Sequence, residues 1–133
     1  MQQLTRRFMP FLFALAALSF TTLSFAQAPN ILGEWRGTYN INIGGDRDII
    51  FTLIEKDGVI SGTFDDPAGG IEGVTIAEVS LEGKEVHFSM PRINGDYFGT
   101  IHRDLGADGN PIRIDGDWSL AGEFVPITLH RTQ

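Results

Sequence analysis

The run I-L-G-E-W-R-G-T-Y-N-I-N-I at 31–43 constrains the fold of this chain more than any other stretch. Trp35, Gly37, Tyr39, Ile41 and Ile43 fall on one face of an extended backbone. Glu34, Arg36, Thr38, Asn40 and Asn42 fall on the other. Successive side chains of a strand point to opposite sides, so the alternation asks for a core on one face and water on the other. In a helix the same residues would be spread around the axis, with no apolar stripe. The run predicts the first strand of an antiparallel sheet.

Beyond residue 43 the chain continues as similar runs separated by turn residues. Strands are predicted at 47–55, 59–65, 77–81, 85–90, 97–103, 112–119 and 124–131. Turns are expected at Gly44-Gly45-Asp46, Lys56-Asp57-Gly58, Glu82-Gly83-Lys84, 91–96 and Ala121-Gly122. A longer connection is expected at 66–73, D-P-A-G-G-I-E-G, and another at 105–110. No long segment has helical period, so the chain reads as all-β. Eight short strands joined in sequence predict an antiparallel up-and-down β-barrel, a closure that leaves no open edge.

Two further features favour closure. Four segments, R-G-T-Y at 36–39, S-G-T-F at 61–64, F-G-T-I at 98–101 and D-G-D-W at 115–118, place Gly two residues before a large apolar side chain on the same face. Glycine weakens a strand interior, and small beside large is how a narrow barrel fits its taper. In an eight-stranded meander the first and last strands also meet antiparallel. Trp35 and Arg131 then become neighbours at one mouth, where the guanidinium can stack on the indole and bond carbonyls of the lead-in at 30–32. Trp118 is expected at the opposite mouth.

Ahead of the barrel, Arg6 and Arg7 precede an apolar run at 8–25, and Ala26-Gln27-Ala28 supplies a small-x-small cleavage pattern. Residues 1–28 read as a secretory signal peptide cleaved after Ala28, and 29–133 as one domain. The protein is expected to be periplasmic or secreted, with no hold on a membrane after cleavage. It has no cysteine, so no disulfide supports it there. Loss of the leader takes Arg6 and Arg7 and moves the formal charge from −7 to −9. That balance disfavours nucleic acid and anionic surfaces, which require clustered cations.

Together these stretches resemble a family. G-E-W at 33–35 with a closing Arg131 is similar to the calycin pattern, in which a G-x-W first strand and a basic residue of the last strand seal one barrel end. With S-G-T-F-D-D-P at 61–67, V-S-L-E-G at 79–83, V-H-F-S-M-P at 86–91, Y-F-G-T-I, G-D-W and V-P-I-T-L-H-R, the domain resembles the small secreted lipocalin-like β-barrel module of bacteria. That module also occurs fused ahead of α/β-hydrolases. The resemblance implies a fold and no catalytic residues.

The residues themselves offer little chemistry. His87, His102 and His130 occupy outward positions without zinc-motif spacing, and no cofactor or metal is expected. Asp104, Asp108 and Asn110 supply oxygen ligands near a Gly turn but lack EF-hand spacing; the same residues also build ordinary turns. Asp115 and Asp117 share an outward face with nothing apolar around them to raise a pKa. G-x-S-x-G is absent, so no enzyme activity is expected. The functional expectation is a non-catalytic binding or interaction module. One form is a carrier of a small apolar ligand inside the barrel, at Tyr39, Phe64, Phe88, Met90, Tyr97 and Trp118. Other forms are an accessory domain to a separate α/β-hydrolase, or a module binding a protein or a second copy. The latter would use the loop near 65–73 or Ile50 and Ile54 on the outer face of the second strand.

Overall fold

A computed structural model describes residues 27–41 and 45–132. The apolar part of the leader and the inward placing of Ile43 lie outside those residues. Among the described residues the chain forms nine strands: β1 (Gly33–Ile41), β2 (Gly45–Lys56), β3 (Val59–Asp66), β4 (Ile71–Ile76), β5 (Glu78–Glu82), β6 (Glu85–Met90), β7 (Gly95–Ile101), β8 (Arg113–Leu120) and β9 (Glu123–Arg131). They make one antiparallel sheet in the order β4-β3-β2-β1-β9-β8-β7-β6-β5. The sheet curls into a nearly closed barrel, and the first and last strands of the chain, β1 and β9, pair through Trp35 with Arg131 and Arg36 with His130.

The count of nine differs from the expected eight because of the stretch after β3. Residues 66–73 are not one loop. Pro67–Gly69 forms a single 3-10 turn, Gly70 takes a left-handed conformation, and Ile71 already begins β4. Only Ala77 separates β4 from β5. Upstream of it Ile76 pairs with Gly62 of β3; downstream Glu78 pairs with Ser89 of β6. The Ala77 amide itself donates to the Ser89 carbonyl at 2.8 Å. β4 and β5 are thus one bent strand that changes partner at its middle, and this bend brings the two ends of the sheet together. The I-E-G stretch at 71–73 carries turn residues and so reads as loop, whereas pairing with β3 recruits it to the sheet.

Smaller boundary differences share this cause. Gly45 and Asp46 belong to β2, since they pair with Ile41 and Asn40. Within the expected 91–96 turn, Pro91–Ile93 is a 3-10 turn and β7 starts at Gly95. β7 ends at Ile101, not at 103. The hairpins use the turns their residues favour: Asp57-Gly58 has positive φ at both positions (53° and 77°), as a two-residue turn matching strand twist requires. The β8–β9 turn has the same geometry with Ala121 at φ 52°.

The interior is filled by aromatic rings. Phe51 sits at its centre, with ring centroids 5.1 Å from Phe64, 5.2 Å from Phe88, 5.6 Å from Tyr97 and 5.9 Å from Trp118. Phe64 stacks on Trp118 at 4.8 Å. The recurring glycines make this density possible. Gly99 and Gly116 are cross-strand partners, and the Tyr97 ring lies over both. A Cβ on Gly99 would stand 2.8 Å from the Tyr97 ring edge, and one on Gly116 would stand 2.7 Å from its hydroxyl. The space left by the missing side chains lets that hydroxyl donate to the Ile127 carbonyl at 2.9 Å, with the Ile114 carbonyl at 3.3 Å. Burial pushes the Tyr97 phenol up, and the nearby charges of Asp115 and Asp117 add to the rise.

Candidate functional site

One mouth of the barrel is built from the two chain regions that the β1–β9 pairing joins. Gly33 takes φ 112°, a conformation that favours glycine, and this folds the lead-in back across the mouth. The fold-back drops Ile31 into the interior, fully buried, as a plug. The Trp35 indole N–H donates to the Ile31 carbonyl at 2.8 Å. From β9 the Arg131 guanidinium lies 4.5 Å from the Trp35 ring centroid. It donates to the carbonyls of Leu32 and Asn30 and, through Nε at 2.8 Å, to that of Pro111. A Cβ at position 33 would come within 3.2 Å of the guanidinium, so the glycine also leaves room for the seal. The Thr132 backbone N–H donates a further hydrogen bond to the Glu34 carbonyl at 3.0 Å. Burial lowers the Arg131 pKa, but an arginine stays charged.

Near the start of β2, away from this mouth, Arg47 Nη2 lies 3.6 Å from Asp66 Oδ2, with Asp66 buried at 4 % exposure. The other Asp66 oxygen accepts the Gly69 amide at 3.1 Å, and Asp65 accepts the Gly73 amide at 2.7 Å. Both aspartates of S-G-T-F-D-D-P are thus used to shape the β3–β4 connection. Nothing in residue order joins Arg47 to Asp66, because they are distant in the chain and belong to no spacing motif.

All six residues expected to line a ligand cavity, Tyr39, Phe64, Phe88, Met90, Tyr97 and Trp118, are buried inside the barrel. Phe64, Phe88, Tyr97 and Trp118 pack around Phe51 as part of the aromatic core. Three concavities lie around the sealed mouth. A half-open groove of about 570 Å³ runs beside it, between residues 27–30 and the segment that carries Ile101, Arg103, Leu105 and Pro111. Two smaller concavities, each of about 370 Å³, flank the same region, one against Arg131 and Thr132, the other against Ile31, Ile60 and Leu81.

The titratable side chains are spread over separate surface pairs. His87 lies 2.8 Å from Asp96 and stacks on Phe98 at 4.3 Å; His102 lies 3.2 Å from Asp104. Asp115 accepts from Arg113 Nε at 2.8 Å and from Thr128 at 3.1 Å, which hold its carboxyl below the usual range, the arginine bond most. Both oxygens of Asp108 accept from Asn110, at 3.0 Å from the amide and 2.9 Å from the carboxamide, so this residue caps its own turn. Among the described residues no group of three or more His, Asp or Glu side chains is placed to hold a metal ion, and no helix is long and apolar enough to cross a membrane. Several apolar side chains stand outside the barrel: Ile54 and Val59 on the β2–β3 hairpin, Phe98 on β7 and Phe124 on β9. Ile50, expected to point outward with Ile54, is half-buried. No family model, curated protein or solved structure matches the chain.

Proposed function

We propose that this chain is a secreted or periplasmic, non-catalytic binding module of the lipocalin-like kind, and that it engages its target at the Trp35–Arg131 mouth rather than within the barrel. One observation carries the reading: interlocked rings occupy the interior, whereas a concavity lies at the mouth beside Arg131 and Thr132. A ligand between Phe64 and Trp118, or between Phe88 and Tyr97, would have to separate rings that already stack, losing dispersion energy on every side. At the mouth no such cost arises. The G-E-W stretch with its closing Arg131 supports the family assignment, and the apolar leader supports export. The dispersal of His87, His102, Asp96 and Asp104 into separate pairs supports a role without catalysis.

Native mass spectrometry of the protein purified from the envelope of its own host tests this reading. The expected result is a retained small molecule or protein whose release follows substitutions at the mouth. A retained molecule released only by Phe88 or Trp118 variants would instead place the ligand in the interior. The apolar side chains Ile54, Val59, Phe98 and Phe124 on the outer face favour a second reading, an accessory domain that docks on a separate protein such as an α/β-hydrolase. In that case the same measurement returns a second polypeptide.

A further inference from the structure

The cross-strand register sets one row of side chains across the outer face of β6 to β9: His87, Phe98, Asp117 and Pro126. All four point away from the interior, because their strand neighbours Phe88, Tyr97, Trp118 and Ile127 are buried. Phe98 is 45 % exposed, and Phe124, two residues from Pro126 on the same face, is 65 % exposed. The His87 ring stacks on Phe98 at 4.3 Å with 7° between the planes, and its Nε2 lies 2.8 Å from Asp96 Oδ1. The stack covers the phenyl ring from the β6 side. Its other face turns to the β8 side, where Asp117 is the directly opposite residue, about 5 Å away at Cβ.

The carboxylates of the adjoining rows are engaged. Glu85 accepts from Thr100 at 3.0 Å, Asp96 is held by His87, and Asp115 by Arg113 and Thr128. Asp117 is exposed and has no ion-pair partner among the described residues. Neither a lysine nor an arginine stands in these three rows. One free carboxylate thus sits between two apolar groups, Phe98 on one side and Pro126 with Phe124 on the other, two strand spacings or about 10 Å apart. A wholly apolar partner would strip water from Asp117 and return nothing. An acidic partner would be repelled, and so would a second copy of a chain with 17 acidic and 10 basic residues. A cation flanked by apolar side chains answers the whole row. Arginine does so best, since its guanidinium stacks on a ring face and bonds a carboxylate in one pose.

We propose that the outer face of β6–β9 docks a basic segment of another protein, with an arginine between the Phe98 ring and the Asp117 carboxylate and a neighbouring apolar side chain on Pro126 and Phe124. This docking rests on the reading of the chain as an accessory domain to a separate protein, and it is independent of what the mouth holds.

The test uses the isotope-labelled protein exported with its own leader. It is titrated by NMR with a blocked pentapeptide that has isoleucine at both ends, arginine at its centre and threonine between, so that the isoleucines and the arginine share one face when extended. Saturable shifts are expected at the amides of Phe98, Asp117 and their strand neighbours. Peptides with glutamate at the centre, or glycine at both ends, are expected to bind about tenfold more weakly. Asp117→Asn, at an unchanged urea midpoint, and Phe98→Thr are each expected to weaken the arginine peptide about fivefold. Glu72→Gln, which removes one exposed charge from β4, should leave binding unchanged. No binding of the arginine peptide, equal binding of the glutamate peptide, an unaffected Asp117→Asn protein, or a dimer joined through Phe98 overturns the proposal. A host polypeptide that stays bound to the protein carrying both Phe98→Thr and Asp117→Asn overturns this surface and leaves the accessory-domain reading standing. If no polypeptide is retained and the arginine peptide does not bind, both fall.

Discussion

Replacing Arg131 by methionine keeps an unbranched apolar stem, though a shorter one, and removes the charge and all the donors. The guanidinium donates to three carbonyls and stacks on Trp35 at 4.5 Å. A hydrogen bond to a charged group contributes about 1.5–3 kcal/mol, and a cation over an aromatic ring about 0.5–2 kcal/mol. The sum overstates the loss, because water can replace the donor at the exposed Asn30 carbonyl. At the partly buried Leu32 and Pro111 carbonyls replacement is poorer. We expect a net loss of about 3 kcal/mol, lowering Tm by about 15 °C for a domain near 100 residues. Urea and thermal unfolding followed by far-UV circular dichroism measure both. Arg131→Lys retains the charge and loses the planar fork, so it should fall between the parent and the methionine variant. A double-mutant cycle with Trp35→Phe isolates the stacking part, expected at about 0.5–1 kcal/mol. If both Arg131 variants unfold within about 0.5 kcal/mol of the parent, the residue is only a solvated surface charge, and the account of a sealed mouth fails.

Other substitutions probe the interior and the turns. Gly116→Ala forces a Cβ against the Gly99 backbone at 2.7 Å, where nothing can yield, and should cost about 3 kcal/mol in urea unfolding. Phe51→Ala removes the ring that the other four surround, and a loss of about 4 kcal/mol is expected by the same assay. Ala121→Asn should stabilise the domain by about 0.5 kcal/mol, since asparagine tolerates the left-handed conformation of this turn better than alanine. Burial raises the phenol pKa of Tyr97 and of Tyr39 above the ordinary value, so the folded state holds these protons more tightly than the unfolded state. Their contribution is therefore fully present below about pH 10 and is lost as pH rises through the folded values. Urea midpoints measured from pH 8 to pH 11 should fall at the alkaline end, and less steeply in Tyr97→Phe.

Most of the sheet was legible in the chain because a strand with one wet face writes its geometry directly into residue order. The alternation through Trp35, Gly37 and Tyr39 reappears as buried and exposed neighbours along β1, and the turn pairs Asp57-Gly58 and Ala121-Gly122 mark their hairpins. The G-x-large pattern was visible too, yet its reason was not. That Gly99 and Gly116 face each other beneath Tyr97 depends on the β7–β8 register.

Residue order alone determined the class of fold, the positions of most turns, and many of the side chains that enter the core, though not Ile31, Val74 or Ile76, since burial acts on each residue through its own transfer energy and the period of its strand. The bend at Ala77, the pairing of Asp66 with Arg47, and the reach of the Arg131 seal to the Pro111 carbonyl came only from the folded chain. These are relations between residues far apart in sequence, set by how the strands coil and pair, and no local pattern encodes a distance across a barrel.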